Sequence, residues 1–102
     1  MQRVYLDNAA TTAIRPEVVD EMANVMKNVY GNPSSTHVFG REAKALIELS
    51  RKNIAQRLNV TSAEIYFTSC GTESNNTIIR SCVNDLDVTR IITTDLEHKC
   101  VL

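Results

Sequence analysis

The chain has 102 residues and a mass of 11.4 kDa, room for one small domain and not two. Its 43% apolar and 23% charged residues are ordinary for a folded soluble chain and exclude wholesale disorder. Eleven basic and twelve acidic residues, mixed along the chain, sum to −1 and leave no electrostatic footprint for nucleic acid or an anionic membrane.

Val4–Leu6 reads as a short extended segment, followed by the polar, small-residue run Asp7-Asn8-Ala9-Ala10-Thr11-Thr12. Pro16 suits the first helical position, where its missing N–H has no partner to lose. Val18, Met22, Val25 and Val29 then recur at helical spacing, so helix one is expected from Pro16 to Tyr30, with Gly31 as its left-handed terminator. Asn32-Pro33-Ser34-Ser35-Thr36-His37 is a loop by its turn chemistry. Beyond Gly40 a second helix is expected to about Leu58, with Ala43, Leu46, Ile47, Ile54 and Leu58 on one face. Glu64-Ile65-Tyr66-Phe67-Thr68 reads as a buried strand, Ser69-Cys70-Gly71 as a tight turn, and Thr72 as the start of a third helix with Ile78, Ile79, Cys82 and Val83 inward. Arg90-Ile91-Ile92-Thr93-Thr94 reads as a second strand.

Strand, turn, helix, strand within some thirty residues is a βαβ unit, which belongs in a parallel sheet covered by helices. The fold class is therefore α/β, and two strands are only the opening of such a sheet. Lys99-Cys100-Val101-Leu102 shows no cap, proline or polar tail, so truncation within an element is expected. Apolar runs are too short for a membrane span. The first residues carry charge where a signal peptide is apolar, which makes the cytoplasm the expected compartment.

The segment most suggestive of chemistry is Ile65 to Asn76. Free amides and the positive dipole end at a helix start favour a phosphate or carboxylate. Gly71 lets the main chain approach an anion, and the hydroxyls of Ser69 and Thr72 can donate to it. The same residues also suit plain helix capping, with Glu73 and Ser74 easing the first turn. Walker and three-glycine dinucleotide patterns are absent. His98, just past the second expected strand, falls on the same sheet edge if the strands are parallel. There it can stack on a planar cofactor or serve as an acid or base, or it can be a surface loop histidine. His37 reads as ordering its loop, and Arg41 and Lys99 as solvated charge. Three cysteines without a Cys-x-x-Cys pair argue against a disulfide scaffold and a structural zinc site, and no metal is expected. Cys82 is a core candidate; Cys70 and Cys100 adjoin the candidate site, where a reactive thiolate is conceivable.

Tyr5-Leu6-Asp7-Asn8-Ala9-Ala10-Thr11-Thr12, Gly31-Asn32-Pro33-Ser34-Ser35, Phe67-Thr68-Ser69-Cys70-Gly71-Thr72-Glu73-Ser74-Asn75 and Glu97-His98-Lys99-Cys100-Val101-Leu102 occur in order and together span the chain. They resemble the N-terminal quarter of group I (NifS/IscS-like) cysteine desulfurases, enzymes of fold type I that use pyridoxal 5′-phosphate. The Thr-Ser-x-x-Thr-Glu-Ser form separates that group from the SufS-like one, whose turn is Arg-Gly-Thr-Thr-Glu. The resemblance implies that Gly71 and Thr72 hold the cofactor phosphate, by main-chain N–H and by hydroxyl, although the family usually has Ala where Gly71 stands. It implies that His98 stacks on the pyridine ring and assists proton transfers, and that Asn8–Thr11 and Asn32–Ser35 border the cleft. It implies residues 1–15 as an extended segment of the small domain and 16–102 as the opening of the large cofactor-binding domain. The implied reaction converts L-cysteine to L-alanine, passing sulfur to an enzyme cysteine for iron–sulfur cluster assembly and tRNA thiolation, in a homodimer that serves scaffold proteins or other acceptors. The Schiff-base lysine, the acid on the pyridine nitrogen and the persulfide-forming cysteine lie beyond residue 102 in the family; Lys99, Cys70 and Cys100 do not match them. The chain alone is expected to be inactive. A selenocysteine lyase, another class V aminotransferase, or a non-catalytic module that binds a desulfurase are the rival readings.

Overall fold

The computed structural model describes residues 3–101. Met1 and Gln2, which entered the signal-peptide reading, and Leu102, which entered the reading of the chain end, lie outside the described residues. The elements are α1 (Pro16–Asn28), α2 (Val38–Leu58), one 3-10 turn at Ser62–Glu64, and α3 (Gly71–Asp85). Two compact units divide between Ser62 and Ala63.

In the first unit, α1 opens at Pro16 behind an extended Arg15, with Glu17 in its first turn and Lys27 in its last, each favourable to the helix dipole. It ends two residues before Tyr30. Val29 still donates its N–H to the Val25 carbonyl at 2.8 Å, but its φ of −121° and ψ of 75° have left the helix. Gly31 is not a left-handed terminator, since no glycine has a positive φ. It is a contact glycine: a Cβ there would collide with the Phe39 carbonyl. Tyr30 stacks on Phe39, ring centroids 5.6 Å apart.

The Asn32 side chain accepts from the Ser34 N–H at 2.9 Å and its carbonyl from the Ser35 N–H at 2.9 Å, the local turn that its composition predicts. His37 caps α2, its Nδ1 accepting from the Gly40 N–H at 3.4 Å. The helix therefore starts at Val38, with Gly40 inside its first turn. Gly40 is buried, and a Cβ on it would strike the Ser35 carbonyl. Arg41 donates to the Thr36 carbonyl and is not merely a solvated charge. At the far end Asn59 is left-handed (φ 56°, ψ 43°) and returns its N–H to Ala55 and Gln56. Among the described residues the buried apolar side chains are Ala43 and Ala55, both on α2.

The second unit corrects the sequence reading. Neither Glu64–Thr68 nor Arg90–Thr94 forms a strand, and no strand exists among the described residues. Tyr66 is 82% and Ile92 88% exposed. A parallel strand is stabilised by neighbours on both edges and cover on both faces, and β-rich composition without them makes no sheet. Of the expected βαβ unit only the helix stands. It begins at Gly71, one residue before Thr72. Beyond its end, Asp87 is left-handed (φ 53°) and the Val88 N–H turns back to the Cys82 carbonyl at 3.1 Å. Among the described residues, no helix is long and apolar enough to cross a membrane.

Candidate functional site

The start of α3 is built by a short run of hydroxyls and one carboxylate. Cys70 takes the N-cap position in an extended conformation (φ −167°, ψ 171°) without accepting a cap hydrogen bond. Helix geometry leaves the amides of Gly71, Thr72 and Glu73 ahead of the first intrahelical donor. That donor is Ser74, whose N–H reaches the Cys70 carbonyl at 3.1 Å. Glu73 folds back over the turn, its Oε2 accepting from the Ser69 N–H at 2.6 Å and from the Ser69 hydroxyl at 2.7 Å. This is a capping box displaced by one residue, because the carboxylate grips the residue before the cap. The Thr68 and Ser74 hydroxyls lie 2.7 Å apart, and each donates to the Cys70 carbonyl at 3.3 Å.

These contacts set the electrostatics. The Ser69 amide, and after it the Ser69 hydroxyl, hold the Glu73 carboxyl below its usual range. The Glu73 amide, then the Ser69 side chain and the Thr72 amide, lower the pKa of the exposed Cys70 thiol. An anion at this helix start is stabilised, and the first one available is the chain's own Cys70 thiolate.

Ser69 is thereby removed from the set of expected anion donors, since its hydroxyl is spent on Glu73. Gly71 and Thr72 remain exposed at the mouth, and a Cβ on Gly71 would meet nothing within 4 Å. Gly71 is thus not there to relieve a clash within this chain, and the family's Ala fits the same place. Outward amides, the neighbouring Thr72 side chain and unobstructed space are a donor set suited to a phosphate ester.

With no strands among the described residues, the Gly71 turn and His98 share no sheet edge. Side chains join them instead. Asn75, one turn into α3, donates from Nδ2 to Cys100 Sγ at 3.0 Å, and that sulfur lies 3.0 Å from His98 Nδ1. The imidazole is exposed and stands in a turn closed by the Val101 N–H on the His98 carbonyl at 2.8 Å. His98 is thus tied to the first half of the helix that Gly71 and Thr72 begin. Sequence reasoning missed Asn75. Its partner lies 25 residues away, and no local pattern marks the pair. Cys70, Cys82 and Cys100 are free thiols, and the described residues hold no cluster of three or more His, Cys, Asp or Glu suited to a metal. In the first unit, the Thr12 hydroxyl donates to Asn8 Oδ1 at 3.1 Å within the Asp7–Thr12 turn.

Comparison with known proteins gives these features a family. The cysteine desulfurase IscS of Dictyoglomus turgidum is 48% identical over 103 aligned positions, covering 99% of this chain and 26% of that protein. The IscS of Methanosarcina thermophila is 46% identical, covering 97% of this chain and 25% of its own length. A selenocysteine lyase of Bos taurus is 44% identical over 80% of this chain. Among solved structures, a NifS-like protein superposes with a TM-score of 0.86 at 43% identity, over 98% of this chain and 28% of that one. The chain therefore spans about a quarter of the length of these relatives. The aminotransferase class-V family matches residues 4–102, and the chain belongs to that family.

Proposed function

We propose that this chain is the segment of a pyridoxal-phosphate-dependent cysteine desulfurase that seats the cofactor phosphate and lays a histidine against its ring. The observation that carries this reading is the exposed start of α3, with Gly71 in open space and Thr72 beside it, tied through Asn75 and Cys100 to His98. When bound, the cofactor supplies an electron sink for the substrate Cα. Gly71 contributes its N–H to the phosphate, and Thr72 its N–H and hydroxyl. His98 rests on the ring face and holds or moves a proton. The substrate is L-cysteine and the product alanine, with sulfur received by a cysteine outside residues 1–102. Residues 1–15 belong to a small domain and 16–102 to a large one, whose parallel sheet forms only with further strands. We place the longer protein in the cytoplasm as a homodimer that delivers sulfur to iron–sulfur scaffold proteins and other acceptors.

The test is alanine formation from L-cysteine. The longer protein that carries this segment forms alanine in step with released sulfur, whereas the 102-residue chain forms none above free pyridoxal phosphate. Alanine from the short chain overturns the fragment reading, and none from the longer protein overturns the desulfurase reading. In the longer protein His98→Ala lowers kcat by about 10²-fold or more, the usual contribution of a positioned acid–base group. Thr72→Val weakens cofactor retention by about tenfold or more, as loss of a hydrogen bond to a charged group does. The selenocysteine lyase among the relatives supports a second reading, favoured if selenocysteine is consumed and cysteine is not.

A further inference from the structure

His98 Nδ1 has two neighbours on the same residue. The Cys100 backbone N–H donates to it at 3.2 Å, and Cys100 Sγ lies 3.0 Å away. An N–H that donates to Nδ1 requires a lone pair there, so the ring is neutral with its proton on Nε2. With Nδ1 an acceptor, the thiol S–H is the donor of the sulfur–nitrogen contact. Asn75 Nδ2 then donates to the lone pairs of the same sulfur at 3.0 Å. The Cys100 N–H and S–H share the one Nδ1 lone pair as a three-centre hydrogen bond, and the direction runs one way from Asn75 through Cys100 to His98. The opposite arrangement, a thiolate facing an imidazolium, would set the Nδ1 proton against the Cys100 amide.

We propose that Cys100 and Asn75 are positioning residues that hold His98 in the Nε2-protonated tautomer and fix its ring against the first half of α3. Cys100 is half-buried, and its thiol is a bridge rather than a nucleophile. The device rests on the desulfurase reading for its purpose: a ring that stacks on a planar cofactor loses less freedom when its plane is already set, and its outer nitrogen presents a donor.

The experiment uses the longer protein that carries this segment, without cofactor, recording the imidazole nitrogens by ¹⁵N NMR and the thiols by peptide-resolved alkylation. In the unmodified chain, His98 Nδ1 has the shift of an unprotonated nitrogen, and Cys100 alkylates more slowly than exposed Cys70. Cys100→Ala keeps the backbone N–H on Nδ1 but loses the thiol, and moves the His98 nitrogens part of the way toward the tautomer mixture of free histidine, while Cys100→Ser, which keeps a side-chain donor, restores them. Asn75→Ala slows alkylation of Cys100 by about fivefold, because the thiolate is the reacting form and the lost N–H stabilised it by about one ordinary hydrogen bond. The proposal is overturned if Cys100→Ala leaves the ring nitrogens unmoved. It is overturned equally if Cys100 outpaces Cys70 and slows on His98→Gln, the mark of a thiolate–imidazolium pair. None of these readouts needs turnover, so the tautomer lock can fail while alanine formation stands, and the reverse.

Discussion

Glu73 and Cys70 show how a few atoms at a helix start divide one electrostatic resource. The Glu73 carboxylate is lowered by the Ser69 N–H and hydroxyl, so it favours the folded form while charged. That contribution is present above the carboxylate's unfolded pKa of about 4.3 and is lost as pH falls through the lower folded value. Glu73→Gln therefore reduces helical content at neutral pH, and its deficit vanishes once pH has fallen below the lowered carboxylate value. Far-UV circular dichroism across pH reads both limbs; a deficit independent of pH contradicts the carboxylate's role. Cys70 behaves in parallel. Its thiolate gains from the Glu73 and Thr72 amides, so iodoacetamide reacts with it at a pH midpoint below the roughly 8.5 of a free cysteine. A phosphate ester bound at Gly71 and Thr72 competes with that thiolate for the Thr72 amide and raises the midpoint again.

The helices are where sequence and structure agree most closely, and their ends show why the agreement stops. Pro16 and Leu58 were legible because proline and the last periodic leucine act within one helical turn. The roles of Gly31 and Gly40 were not, because each is set by a carbonyl from another part of the chain. Gly31→Ala and Gly40→Ala should each destabilise the first unit by about 1–3 kcal/mol through overpacking. Gly71→Ala should be neutral or stabilising by up to about 1 kcal/mol, since its site is open and helical. Urea midpoints of the helical signal order the three, and an equal loss at Gly71 contradicts the open site. At Asn59, replacement by Ala costs about 1 kcal/mol in the left-handed region while Gly is tolerated.

For the chain as a whole, the decisive fact is how little apolar surface it hides. Only Ala43 and Ala55 are buried apolar residues among those described, while Met26, Phe67, Ile78 and Ile92 are half or more exposed. Such a chain cannot offset its conformational entropy by burial alone. In isolation it should bind a hydrophobic dye and associate as concentration rises, which sedimentation measures; a monodisperse monomer without dye binding contradicts this.

From residue order alone came the helices and the candidate residues Gly71, Thr72 and His98, because helix periodicity, caps and turns act over a few residues, and four motifs added the resemblance to cysteine desulfurases. Tertiary structure decided the rest. Glu64–Thr68 and Arg90–Thr94 carry β-forming residues yet make no strand, since a sheet is a property of neighbours and not of a segment. The link from Asn75 through Cys100 to His98 crosses 25 residues, and no spacing rule encodes a contact that only folding brings within 3.0 Å.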